Sequence, residues 1–217
     1  MGIKKIKTET LRQKVYNQLR TKILGAEILP GEVISLRGLA EKFGVSLLPV
    51  REAVWQLESE KILVIESNKR IQVNHLTRNE FKEILNLRLL LETEAVDKAC
   101  QLRTKKAVTK VKKILDAMGK YVGVNDKEYI KKNDQFHYEI YSSAGSPILM
   151  GLIQRLLARV NPYIYMYAID NKDLSGAVGC HLEMYEGFAD GDSPRAVTAL
   201  RKDLQNAGKI IIDNLED

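Results

Sequence analysis

The segment Leu36–Trp55, LRGLAEKFGVSLLPVREAVW, constrains the fold of this 217-residue chain more than any other stretch. Ala40, Gly44 and Val50 fall at relative positions 5, 9 and 15 of it, the spacing of a helix-turn-helix. Ala40 is small where two helices cross closely. Gly44 can take the positive φ that ends a first helix and opens a tight turn. Val50 turns inward and locks the second helix onto the first. Ser46 suits the N-cap of that second helix, and Pro49 is tolerated because it sits in the first turn. A helix presented in this way fits the major groove of DNA.

The flanks extend the pattern into a winged helix over residues 1–76. Before the motif, Thr10–Leu24 carries Leu11, Val15, Leu19 and Ile23 on one helical face. Leu29-Pro30-Gly31-Glu32 then breaks that helix. After the motif, Leu63–Glu66 and Ile71–Val73 read as two short strands joined by Ser67-Asn68-Lys69-Arg70, a hairpin wing with a basic tip. Arg51 lies on the face opposite Val50, Ala53, Val54 and Leu57. It can reach a guanine edge or a phosphate, or else pair with Glu52 or Glu58. Lys69 and Arg70 are placed for the minor groove or its phosphates, and Ser46 for helix capping or a phosphate contact. A winged helix used for protein contacts is the alternative.

Charge is distributed accordingly. Residues 1–76 hold 13 Lys and Arg against 8 Asp and Glu, whereas residues 77–217 hold 21 against 20. A basic head beside a neutral partner is what phosphate binding calls for. No run of about 18 apolar residues is present, so no membrane helix is expected. The N-terminus lacks an apolar signal-peptide core, and Cys100 and Cys180 form no CxxC pair; a cytoplasmic location with reduced thiols is expected.

Residues 77–217 read as an all-helical bundle, which makes the fold class mainly α. Thr77 with Glu80 forms a capping-box pattern ahead of a helix to Cys100. Further helices are expected over Lys105–Gly119, Asp126–Ser143, Ile148–Ala168 with a bend near Pro162, and from Asn171–Asp173 to Ala189. After the break Asp190–Pro194, a last one runs to Leu215. Arg88, among Leu85, Leu87, Leu89, Leu90 and Leu91, must be paired if it is buried; Glu92 stands one turn along. Tyr163, Tyr165 and Tyr167 line a cavity or pack as core. His75, at the junction, reads as a surface or packing residue rather than a ligand.

LPGEVIS, LAEKFGVS and PVREAVWQLESEKIL resemble the N-terminal domain of the GntR family of bacterial transcription regulators, across residues 8–74. Two positions depart from that family. Leu47 and Leu48 stand where Arg and Thr are usual, and Leu36 replaces an acidic residue. Loss of the Arg removes a charged DNA contact; the leucines could instead touch a thymine methyl or a neighbouring subunit. The resemblance assigns Arg37 a DNA contact.

The second half resembles the FCD ligand-binding domain of the FadR-type branch. Leu87-Arg88 with Glu92, Asn133–His137, Ser146–Leu149 and His181 with Gly191-Asp192 carry that likeness. It implies a homodimer on a palindromic operator of double-stranded DNA, a small organic acid bound by Arg88, and a bundle-centre metal. Carried over by position, the metal set becomes Asn133, His137, His181 and Asp203. Such ligands suit Zn, Ni, Mn or Fe, although a neutral Asn is a poor replacement for a carboxylate. Asp134 points about 100° away from that position and is not substituted for it. Without a metal, His137 and His181 would hydrogen-bond an organic ligand. The expected function is therefore a regulator whose operator binding responds to an acid or a metal. The alternatives are a ligand-binding module whose head has lost specificity, and a small metalloenzyme.

Overall fold

The computed structural model describes residues 9–67, 70–170 and 175–215. The chain divides into two compact units, Met1–His75 and Leu76–Asp217.

The first unit is built from helices α1 (Leu11–Leu24), α2 (Leu36–Phe43) and α3 (Leu47–Ser59), with strands β1 (Val33–Ile34), β2 (Leu63–Ile65) and β3 (Ile71–Val73). Thr10 caps α1, its hydroxyl accepting from the Gln13 N–H at 3.2 Å. Ser35 does the same for α2, accepting from Gly38. Gly44 ends α2 in the left-handed region at φ 63°, and the Val45 N–H returns to the Ala40 carbonyl. Only a residue without Cβ takes that conformation freely, which is why the turn sits there. Val15, Leu19, Ile23, Val50, Ala53, Val54 and Leu57 are buried between α1 and α3. The Tyr16 hydroxyl donates to the Glu60 carboxylate at 2.8 Å and ties the start of α1 to the end of α3.

The wing is part of a three-stranded antiparallel sheet in the order β1-β3-β2. Two strands were expected; β1 is the addition. The Gly31 N–H donates to the Val73 carbonyl and the Val73 N–H to that of Glu32, so the Pro-Gly turn delivers Val33 and Ile34 to the edge of β3. A strand of two residues is too short to show alternation in sequence.

The second unit consists, among the described residues, of six helices: α4 (Arg78–Leu102), α5 (Lys105–Gly119), α6 (Asp126–Ser142), α7 (Pro147–Asp170), α8 (Ser175–Asp190) and α9 (Ser193–Asn214). The capping box forms as the pattern requires, with Thr77 N–H on the Glu80 carboxylate and Glu80 N–H on the Thr77 hydroxyl. α4 continues to Leu102, two residues beyond the expected end. The expected start of the fifth bundle helix at Asn171–Asp173 lies outside the described residues. The main core gathers Val96, Phe136, Ile140, Tyr141, Ile153, Met184, Phe188 and Leu200 from α4, α6, α7, α8 and α9. Phe81, Val160, Tyr163 and Ile211 form a second cluster. Both cysteines are buried free thiols. No described helix is long and apolar enough to cross a membrane.

Candidate functional site

Two groups of side chains can carry function, one in each unit. In the first, α3 turns Val50, Ala53, Val54 and Leu57 inward, which leaves Leu48, Arg51 and Trp55 outward. Leu48 is 63 % exposed and Trp55 is 56 % exposed, a high value for an indole. Their spacing of i, i+3 and i+7 puts all three on one helical face. Arg37, Ser46 and Leu47, also exposed, border a shallow depression of about 450 Å³ together with Ala40, Glu41, Gly44 and Val45. Ser46 sits at the N-cap with extended backbone, but its hydroxyl makes no capping bond to α3. The capping expectation is corrected on this point: the position is that of a cap, while the side chain faces outward.

In the wing, the Glu66 N–H donates to the Arg70 carbonyl and closes the hairpin; Arg70 is exposed. Lys69 lies outside the described residues. Sequence reasoning missed Trp55, although its spacing from Leu48 and Arg51 was the available signal. His75 is exposed.

In the second unit, α6, α8 and α9 bring His137, His181 and Asp203 together. The two imidazole Nε2 atoms stand 3.3 Å apart. Asp203 Oδ2 is 3.5 Å from His137 Nε2, and Oδ1 is 3.6 Å from His181 Nε2. Phe136 sets its ring edge-on to both imidazoles and forms an apolar wall. Burial alone would raise the Asp203 carboxyl; imidazoles in their protonated form outweigh it and hold the group well below the usual carboxylate range.

The far nitrogen of each ring also has a partner. His137 Nδ1 lies 3.0 Å from the Tyr141 hydroxyl, and His181 Nδ1 lies 3.5 Å from that of Tyr129. The Tyr141 hydroxyl donates to Glu92 Oε2 at 2.6 Å, and Arg88 Nε donates to Glu92 Oε1 at 2.6 Å. Arg88 and Glu92 are both buried in the bundle. Of the two readings of Arg88, pairing with Glu92 is the arrangement present.

Asn133 and Tyr165 hydrogen-bond the Asp134 carboxyl; burial dominates and pushes it up to about 6, against the lowering effect of these bonds and of Arg88. Asp134 stays outside the His137–His181–Asp203 cluster, as its 100° offset implies. Tyr163 is core: its hydroxyl accepts from the Leu76 N–H at 2.6 Å, and its ring packs edge-on to Phe81. The side chain of Tyr167 lies outside the described set.

These atoms suit a transition metal. Ligands bonded tetrahedrally at 2.0–2.1 Å stand roughly 3.4 Å from one another. The two imidazole nitrogens and the carboxylate oxygens of this cluster, 3.3 to 3.6 Å apart, match that spacing. Arg88 already pairs with Glu92, so the negative charge left at the cluster is that of Asp203, which a cation would offset. Tyr141, Tyr129 and Asp134 make contacts that sequence spacing did not bring out.

Comparison with known proteins agrees with both halves of this description. Residues 11–73 match the bacterial regulatory proteins of the gntR family, and residues 83–206 match the FCD domain. The HTH-type transcriptional regulator YdhC of Bacillus subtilis is 32 % identical over 158 residues, 72 % of this chain and 69 % of that protein. The HTH-type transcriptional regulator McbR of Escherichia coli is 29 % identical over 187 residues, covering 85 % and 83 % of the two chains. The solved structure of E. coli McbR/YncC has the same fold, with a TM-score of 0.86 over 95 % of this chain and 99 % of that one at 24 % identity. The relatives are transcriptional regulators rather than enzymes. The chain belongs to the GntR family of DNA-binding transcriptional regulators, in the FadR-like branch with a helix-turn-helix head and an FCD domain.

Proposed function

We propose that this regulator binds a palindromic operator as a homodimer in the bacterial cytoplasm, and that a divalent transition metal in the FCD bundle tunes its operator affinity. The observation that carries the reading is the convergence of His137 Nε2, His181 Nε2 and the Asp203 carboxylate within 3.3–3.6 Å. These three side chains would hold the ion, with Asn133 in reach of the same helix face one turn before His137. Bound there, a Zn, Ni, Mn or Fe ion would cross-link α6, α8 and α9 and favour whichever bundle conformation brings its ligands together. A small organic acid has less support as effector, because the guanidinium that would receive its carboxylate already bonds Glu92.

On the DNA side, Arg51 reads a base edge, and Arg37, Ser46, Lys69 and Arg70 hold phosphates. Leu47 and Leu48 supply apolar contact in place of a charged one. Thymine C5-methyl groups in the major groove are the matching surface. Support for a dimer comes from exposed apolar residues on the neighbouring helices α4 and α7: Leu87, Leu90, Ile148 and Leu152.

The test is fluorescence anisotropy of the purified full-length protein on DNA flanking its own gene, then on a genomic fragment pool. It is run across a salt series with nonspecific competitor, with zinc or with chelator. Sedimentation of the same preparation should give a two-chain mass. Arg51→Ala should lower specific affinity about 5- to 150-fold, the range for losing one good base contact of about 1–3 kcal/mol. Zinc should change the affinity of the parent protein. Binding that competitor abolishes on every fragment would replace the regulator reading with that of a ligand module whose head has lost specificity. Equal affinity with zinc and with chelator would remove the metal as effector.

A further inference from the structure

The metal reading leaves open how a buried imidazole presents the correct nitrogen to an ion, and here the hydrogen-bond directions are informative. Glu92 is 1 % exposed and sits against Arg88, whose Nε donates to Oε1 at 2.6 Å. A carboxylate only accepts hydrogen bonds. The 2.6 Å contact between Tyr141 and Glu92 Oε2 therefore uses the phenolic proton. With its one proton committed to Glu92, the Tyr141 oxygen has only lone pairs to offer His137. The 3.0 Å contact with Nδ1 then requires the proton to be on the nitrogen.

We propose that Tyr141 is a positioning residue: held by Arg88 and Glu92, it fixes a proton on His137 Nδ1 and leaves Nε2 as the nitrogen that takes the metal. This rests on the metal reading for its purpose, although the tautomer itself does not depend on any ion. The direction of Nε2 agrees, since it is the atom 3.3 Å from His181 Nε2 and 3.5 Å from Asp203. Tyr129 offers the internal contrast. Its hydroxyl lies 3.5 Å from His181 Nδ1, and among the described residues no carboxylate accepts a hydrogen bond from it. That hydroxyl is free to donate as well as accept, so Tyr129 does not itself fix the His181 tautomer. Arg88 thus serves the site through Glu92 and Tyr141. The sequence showed the Arg88–Glu92 pair at i, i+4, but not the tyrosine 49 positions away from Glu92.

The full-length protein and its Tyr141→Phe and Tyr129→Phe variants would be compared by two measurements. Long-range ¹H–¹⁵N spectra of the imidazoles, taken metal-free at about pH 8.5, above the ordinary imidazole range, read the tautomer. Competition with a chromophoric chelator reads zinc affinity. In the parent protein His137 should show the Nδ1–H pattern. Tyr141→Phe should shift it toward a tautomer mixture and weaken zinc about 10- to 100-fold, the usual cost of losing a partner that orients a ligand. Tyr129→Phe should cost clearly less.

A parent His137 in the Nε2–H form would overturn the proposal, as would zinc affinity in Tyr141→Phe kept within about twofold. If Tyr141→Phe does not fold, the parent spectrum decides alone. Failure of the parent protein to bind zinc would remove the metal reading, while the metal-free tautomer would still decide this one.

Discussion

Asp134 shows what a single half-buried side chain can add that its neighbours in sequence conceal. Helical geometry was enough to keep it out of the metal set, since it sits 100° round from Asn133. Its surroundings of Tyr165 and Arg88 were not legible, because those groups come from two other helices. Burial pushes its carboxyl up to about 6 from 3.8, so the folded protein binds this proton more tightly than the unfolded chain does. The stability from that proton is complete below 3.8 and is lost as the pH rises through about 6. Asp134→Asn should therefore raise the melting temperature of the chelator-treated protein by several degrees at pH 8, and by little at pH 4. Scanning calorimetry at the two pH values checks this, and an equal shift at both would contradict it. The same limit of sequence reading applies to Tyr141. Its neighbour His137 is one turn back, but the carboxylate that gives it a role lies on α4.

At the scale of elements, the legible parts were those governed by local rules. The positive φ at Gly44, the capping box at Thr77 and the apolar face of α3 each depend on residues within a turn or two. What depended on distant pairing was missed: β1 exists because Gly31 and Glu32 meet Val73. Ser46 failed in the opposite sense, since it occupies a cap position without using its hydroxyl as one. At the α8–α9 corner backbone meets backbone. A Cβ on Gly187 would lie 2.6 Å from the Ala196 nitrogen and 2.9 Å from the Asp192 carbonyl oxygen. Both are backbone atoms at the start of α9, so no rotamer change relieves the overlap. Gly187→Ala should lower unfolding free energy by about 1–3 kcal/mol, as overpacking of a close contact does. Urea denaturation reads this, and an unchanged midpoint would mean that α9 shifts at no cost. Because α8 carries His181 and α9 carries Asp203, the variant should weaken zinc as well.

For the whole molecule, local motifs placed the helix-turn-helix head and the FCD half, and pointed to His137, His181 and Asp203, which the fold brings together. The electrostatic surroundings, including the Tyr141 hydroxyl on Glu92, arose only when the helices were brought together. The chain contains a single tryptophan, and it is Trp55, outward on the helix that carries Arg51. All intrinsic indole emission therefore originates in the head, while the candidate metal cluster belongs to the other unit. The protein carries its own reporter of communication between the two. Zinc added without DNA should alter the emission of Trp55 if occupancy of the bundle is felt at the reading helix, as reciprocal coupling requires. An unchanged spectrum at saturating zinc, together with unchanged operator affinity, would mean two units that share a chain and nothing more.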